Sequence, residues 1–163
     1  MARVYVSIGS NIDREENIRA GVADLKHCFG KLTLSSVYES EAVGFSGDNF
    51  YNLVAGLDTT MSPQQVLAKL HAIEDAHGRE RTGPRFSSRT LDIDLLLYDD
   101  LALHEGKLDI PRDEILKNAF VLWPLAEIAP ALKHPQQDAS YQDLWEHFDQ
   151  RKQPLWPVEF EFA

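Results

Sequence analysis

The chain has a single cysteine, Cys28, in 163 residues. No intramolecular disulfide can form, so the fold has to hold by packing, as suits a reducing cytosol. Cys28 stands among the apolar residues of an expected helix and reads as a packing residue. Long apolar runs are also missing. No segment approaches the roughly 18 apolar residues of a membrane span. The opening Met-Ala-Arg-Val-Tyr-Val-Ser-Ile-Gly-Ser has too short an apolar run for a signal peptide. A cytoplasmic protein with no membrane partner is expected. Positive charge is scarce as well: 16 Lys and Arg against 26 Asp and Glu leave a formal net charge of −10. That opposes broad binding to nucleic acid, which needs a net basic surface. Several common frameworks are missing too. No G-x-x-x-x-G-K-[ST] occurs and no G-x-G-x-x-G follows a strand, which argues against P-loop and dinucleotide folds. The six histidines show no zinc-ligand spacing, and His71 and His77 read as helix-surface residues. No serine or cysteine lies in a recognisable nucleophile motif.

What is present reads as one globular domain over residues 1–163, long enough to bury a core. Val4, Val6 and Ile8 alternate with Tyr5 and Ser7 at the period of a half-buried strand. Ile18, Val22, Leu25 and Phe29 recur at helical spacing, and Gly30 sits where a helix C-cap would. Residues 32–38 read as a second strand, Gly44 and Gly47 as a loop, and residues 50–57 as a third strand. Ser62-Pro63-Gln64-Gln65 is a strong helix start, with serine as N-cap and glutamine closing a capping box. That helix runs to about His77, where Gly78 ends it, and residues 90–97 form a fourth strand. The order β-α-β-β-α-β predicts an α+β, ferredoxin-like sandwich, with two helices on one face of a four-stranded, mainly antiparallel sheet. The last third adds a short strand near Leu108–Ile110 and a helical extension, with helices near residues 120–128 and 140–148. In the tail, Trp156, Phe160 and Phe162 either pack back on the domain or mark a partner contact.

The chemistry centres on Asp92-Ile93-Asp94. Residues two apart in a strand point the same way, so both carboxylates project from one face. Two carboxylates side by side repel each other and are well served by a hard divalent cation, and magnesium favours one or two carboxylates plus phosphates and water. The plain alternative is an exposed strand face with two solvated aspartates. Four of the nine arginines, Arg79, Arg81, Arg85 and Arg89, come immediately before the pair. Guanidinium forks match phosphate oxygens. These arginines either offset an acidic surface or close over a polyphosphate that bridges them to a metal. The second reading explains the combination better, and it points to phosphoryl chemistry on magnesium-bound ATP.

On these residues the sequence resembles the hydroxymethyldihydropterin pyrophosphokinases of folate synthesis, from Val4 to about Leu132. The likeness rests on Ser7-Ile8-Gly9-Ser10-Asn11, Phe50-Tyr51-Asn52, Ile73-Glu74 and Gly78-Arg79. It continues through the stretch from Arg85 to Leu96, with Arg89-Thr90-Leu91-Asp92-Ile93-Asp94 at its centre. The run from Phe120 to Pro130 matches the family's closing motif. The resemblance implies transfer of pyrophosphate from ATP to the hydroxymethyl group of a reduced pterin, with release of AMP. It implies two Mg2+ ions held by Asp92 and Asp94, with Arg79 and Arg89 stabilising the transition state. Glu74, Arg81, Arg85, Lys107 and Arg112 fall on the ATP side. Ser40, Val43, Gly44, Asn52 and Phe120 fall on the pterin side. ATP and a reduced pterin are the expected partners, nucleic acid is not, and a monomer is expected.

The chain departs from the family pattern in places. Ser87-Ser88 replaces Gly-Pro before the signature arginine, and Pro111-Arg112-Asp113-Glu114 replaces Pro-His. Asn118 stands where an arginine is usual, and Glu41 where proline is common. Asp113 and Glu114 bring negative charge toward the phosphates. A diverged enzyme acting on another pterin or small alcohol, or a nucleotide-binding protein with little activity, is the alternative these departures leave open.

Overall fold

The computed structural model describes residues 1–41, 48–77 and 91–162. Strand β1 (Ala2–Ser10) is central and buried on both sides, with Val4, Val6 and Ile8 facing one core and Tyr5 the other. Helix α1 (Arg14–Phe29) follows, burying Ile18, Val22 and Leu25. It stops at Gly30, whose φ of 82° suits glycine and whose N–H reaches the Lys26 carbonyl at 2.8 Å.

The single strand expected over residues 32–38 is instead two, β2 (Thr33–Leu34) and β3 (Val37–Ser40). Ser35 explains the break. Its hydroxyl accepts the Val54 N–H at 2.9 Å, so a side chain replaces a rung of the ladder. Ser36 then turns outward, giving its N–H and hydroxyl to Glu127 at 3.0 and 2.8 Å. Strand β4 (Phe50–Thr59) pairs with both short strands. Helix α2 (Pro63–Ala76) has the expected capping box: Ser62 Oγ accepts from Gln65 N and Gln65 Oε1 from Ser62 N.

Strand β5 (Asp92–Tyr98) pairs with β1 and contains a bulge. Tyr5 faces Leu97 but Val6 faces Leu95, leaving Leu96 as the extra residue. Leu91, Ile93 and Leu95 therefore face α1 and α2, while Leu96 and Leu97 both enter the opposite core. A hairpin of β6 (Leu103–Glu105) and β7 (Leu108–Ile110) follows, turning at Gly106 with φ 58°. Helix α3 (Glu114–Lys117), helix α4 (Ala119–Ile128) and helix α5 (Tyr141–Glu146) come next. Helix α4 is apolar nearly all round, as a buried helix must be. Helix α5 docks on it through a Trp123–Trp145 stack with centroids 5.1 Å apart. Strand β8 (Leu155–Val158) returns to pair with β3.

The main sheet has six strands, all neighbours antiparallel, in the order β5-β1-β4-β3-β8, with β2 beside β4. It is an α+β fold. Helices α1 and α2 cover one face, and α4 and α5 cover the other. The last third is thus the second helical layer rather than an appendage. Phe160 and Phe162 pack back on the first core, whereas Trp156 is 40% exposed. No helix among the described residues is long and apolar enough to cross a membrane.

Candidate active site

Strand β5 lies at one edge of the sheet, and its two edges meet different partners. On the inner side Asp92 pairs with Gly9 and Asp94 with Ser7. On the outer side the Ile93 N–H is taken by Glu74 Oε2 at 2.8 Å, from a carboxylate 2% exposed on α2. Arg112 N reaches the Leu96 carbonyl at 3.0 Å. This double anchoring keeps the edge strand rigid where it carries the aspartates.

The Arg112 guanidinium lies 3.5 Å from Asp94 Oδ1 and 3.4 Å from Glu114 Oε1. Burial alone would lower its pKa, and the charges of Asp94, Glu114 and Asp92 outweigh that and raise it. Asp94 feels the opposite balance. Burial first, then the charge of Asp92, pushes its pKa up to about 8, with Glu114 and Glu74 adding to the rise and Arg112 opposing it. Three carboxylates thus act on one guanidinium, an excess of negative charge that suits a cation. The carboxylates of Asp92 and Asp94 are hard oxygen donors on one face of a fixed strand, so the residues present fit magnesium. Among the described residues no group of three side chains forms a complete metal cage. Two carboxylates completed by phosphates and water are magnesium's ordinary arrangement. The acidic residues that looked unfavourable in the sequence are each paired, Glu114 with Arg112 and Asp113 with Lys117 at 3.0 Å.

A straight row crosses the sheet from this cluster: Asp92 on β5, Gly9 on β1, Asn52 on β4 and Tyr38 on β3. Gly9 is the gap in the row. A Cβ there would lie 2.5 Å from Asn52 Oδ1, so only glycine lets the Asn52 amide lie over this position. Asn52 is buried, and its Nδ2 donates to Ser40 Oγ at 3.4 Å. Phe50, two residues before Asn52, shares its face. Phe120 sits half-buried in the first turn of α4 against the second core.

The structure therefore brings together Asp92, Asp94, Glu74 and Arg112, and links them by one row to Asn52 and Ser40. Lys107 is exposed in the β6–β7 turn, and no contact joins it to the aspartates among the described residues. Val43, Gly44, Arg79, Arg81, Arg85 and Arg89 lie outside the described residues. Two contributors escaped the sequence reading. Glu114 as partner of Arg112 depends on a turn with no periodic signal. The close approach of the Asn52 amide to Gly9 depends on register.

The model of the family 7,8-dihydro-6-hydroxymethylpterin-pyrophosphokinase (HPPK) matches residues 5–130. The chain belongs to the HPPK family. A relative from Aquifex aeolicus is 36% identical over 137 residues, covering 83% of this chain and 85% of the relative. One from Pseudomonas aeruginosa is 38% identical over 137 residues, covering 82% and 84%. Both are named 2-amino-4-hydroxy-6-hydroxymethyldihydropteridine pyrophosphokinase. Among solved structures, Plasmodium falciparum HPPK-DHPS with pterin and p-hydroxybenzoate matches at a TM-score of 0.75 and 14% identity. That match covers 92% of this chain but 43% of the HPPK-DHPS chain, and it supports the fold alone. The HPPK match ends before α5 and β8.

Proposed function

We propose that this chain transfers the pyrophosphoryl group of ATP to the hydroxymethyl oxygen of 6-hydroxymethyl-7,8-dihydropterin, a step of folate biosynthesis. The alcohol oxygen bonds to the β-phosphorus, the bond from that phosphorus to the α-phosphate oxygen breaks, and AMP and a proton are released. One observation carries the reading: in an HPPK-family chain, a row of three residues sets the carboxylate cluster and a buried amide in line across the sheet, with a glycine between them.

Asp92 and Asp94 would hold two Mg2+ ions, which neutralise phosphate oxygens when bound. Around them, Arg112 carries positive charge to the phosphates and Glu74 holds β5 in place. Arg79 and Arg89 are assigned to the charge that develops in the transition state, and Arg81, Arg85 and Lys107 to the nucleotide. Asn52, Ser40, Val43, Gly44 and Phe120 are assigned to the pterin, where a buried amide reads the ring's polar edge and an aromatic ring supplies a stacking face. Phe50, on Asn52's face, joins this group. Positioning and electrostatics are sufficient for such a transfer, and no side chain is assigned as base. Four consecutive strands, in the order β5-β1-β4-β3 with α1 and α2, are read as a ferredoxin-like core to which β2 and β8 are added. A single domain acting as a cytoplasmic monomer completes the reading.

Pure protein given ATP, magnesium and the pterin should release AMP only when all three are present. Asp94→Ala should cut kcat by roughly 100-fold or more with an unchanged circular-dichroism spectrum. ATP binding without pterin-dependent AMP, or an Asp94→Ala variant as active as the parent, would sink the assignment.

A further inference from the structure

The strands that carry Ser40 and Asn52 are held from behind. Tyr51 lies between Phe50 and Asn52 in β4 and so points to the opposite face of the sheet. Arg14, the first residue of α1, stands over its ring with Cζ 3.9 Å from the centroid. Arg14 Nη1 donates to Glu39 Oε2 at 3.2 Å and to the Asn49 carbonyl at 2.9 Å. Asn49 Nδ2 donates to the same Glu39 oxygen at 3.0 Å. One guanidinium therefore ties the end of β3 to the residue that precedes β4.

The C-terminal tail supports Tyr51 from its edge. Phe160 meets it at 90° with centroids 6.0 Å apart, and Phe162 lies 4.8 Å beyond Phe160. Arg19, five residues further along α1, covers Phe160 at 4.8 Å and donates Nε–H to the Glu161 carbonyl at 2.7 Å. Strand β8 adds a neighbour to β3 up to the Ser40–Leu155 pair.

These contacts lie where the sheet needs them. Ser40–Phe50 is the last pair of the β3–β4 ladder, and ladder ends open readily. The Ser40–Asn52 bond, at 3.4 Å, is too long to set the spacing of the two groups by itself. The Arg14–Glu39 ion pair is better suited: its side chains are 29% and 19% exposed, so breaking it strands a partly desolvated charge.

We infer that Arg14, Glu39, Tyr51 and Phe160 form a positioning clamp that fixes Ser40 and Asn52 for the pterin. The C-terminal tail, outside the family-matched segment 5–130, is its rear support. The inference rests on the pterin role proposed for Ser40 and Asn52. The clamp grips β3 and β4, whereas Asp92 and Asp94 stand on β5 across the intervening β1. Loosening it acts on the pterin and spares the nucleotide.

The test uses the full chain and calorimetry with two ligands: an ATP analogue with a non-cleavable α,β bridge plus magnesium, and 6-hydroxymethylpterin titrated into that complex. Phe160→Ala should weaken pterin binding about 5- to 10-fold and Arg19→Gln about 2- to 3-fold. The analogue's Kd should stay within about twofold in both, and Phe160→Tyr should restore pterin affinity. Unchanged pterin affinity in both variants overturns the clamp, and so does equal weakening of the two ligands, which marks a general stabiliser. Should Phe160→Ala fail to fold, Arg19→Gln decides, because it leaves the rings in place. AMP release by the wild type is followed separately. A wild type that binds pterin without releasing AMP removes the reaction, and the variants' Kd values still judge the clamp. A wild type that binds no pterin overturns both.

Discussion

Gly9 shows how much one missing methyl group can matter. Its absent Cβ leaves room for the Asn52 amide, which a methyl group would meet at 2.5 Å. The obstructed atom is the far end of a side chain, so the fold can yield by turning Asn52 away. Gly9→Ala should therefore raise the pterin KM about 10-fold while Tm moves by only about 3 °C. A KM that stays put with a large loss in Tm would locate the role of Gly9 in folding instead. Asp94 offers a second residue-level test, through pH. Its carboxyl titrates at an ordinary 3.8 in the unfolded chain and at about 8 in the folded one. Between those values the native state binds the extra proton, so this group makes stability fall as pH rises. Asp94→Asn removes that cost. In metal-free melts its stabilisation should be absent near pH 4, grow steadily, and level off above pH 8 at several kcal/mol. A pH-independent gain would contradict the assignment. The aspartate pair was legible in the sequence because strand periodicity puts alternate residues on one face. The Arg112–Glu114 contact was not, because it is made inside an irregular turn.

At the scale of elements, local signals carried well and distant ones did not. The capping box of α2 is written within four residues, Ser62 to Gln65, and the helix begins where they say. The apolar stripe of α1 and its Gly30 stop are equally local. The break between β2 and β3 depends on Ser35 capturing the Val54 N–H and on Glu127, 91 residues from Ser36. No window around Ser35 contains that information. The bulge at Leu96 is similar. Leu95, Leu96 and Leu97 are chemically alike, and only the register against Tyr5 and Val6 decides which core each one joins. Strand β8 was hidden for another reason. Pro157 argues against a central strand, and the structure places it on an outer one, opposite Tyr38, where a missing N–H is tolerated.

For the molecule as a whole, the three-layer arrangement means that neither helical face suffices alone. Tyr5, Val54 and Leu97 would lie open without α4 and α5. The sheet's two borders are also managed differently. Beyond β5, Glu74 and Arg112 occupy backbone groups. Beyond β3, the short proline-bearing strand β8 does so. A chain cut after residue 154 should accordingly form dimers or larger species at micromolar concentration, seen by light scattering, while the full chain does not. Equal scattering from both would show that the border at Val37–Ser40 is harmless when bare. Proline at this outermost position also leaves a neighbouring molecule approaching β8 one fewer amide to bond, which disfavours growth of the sheet from one copy into the next.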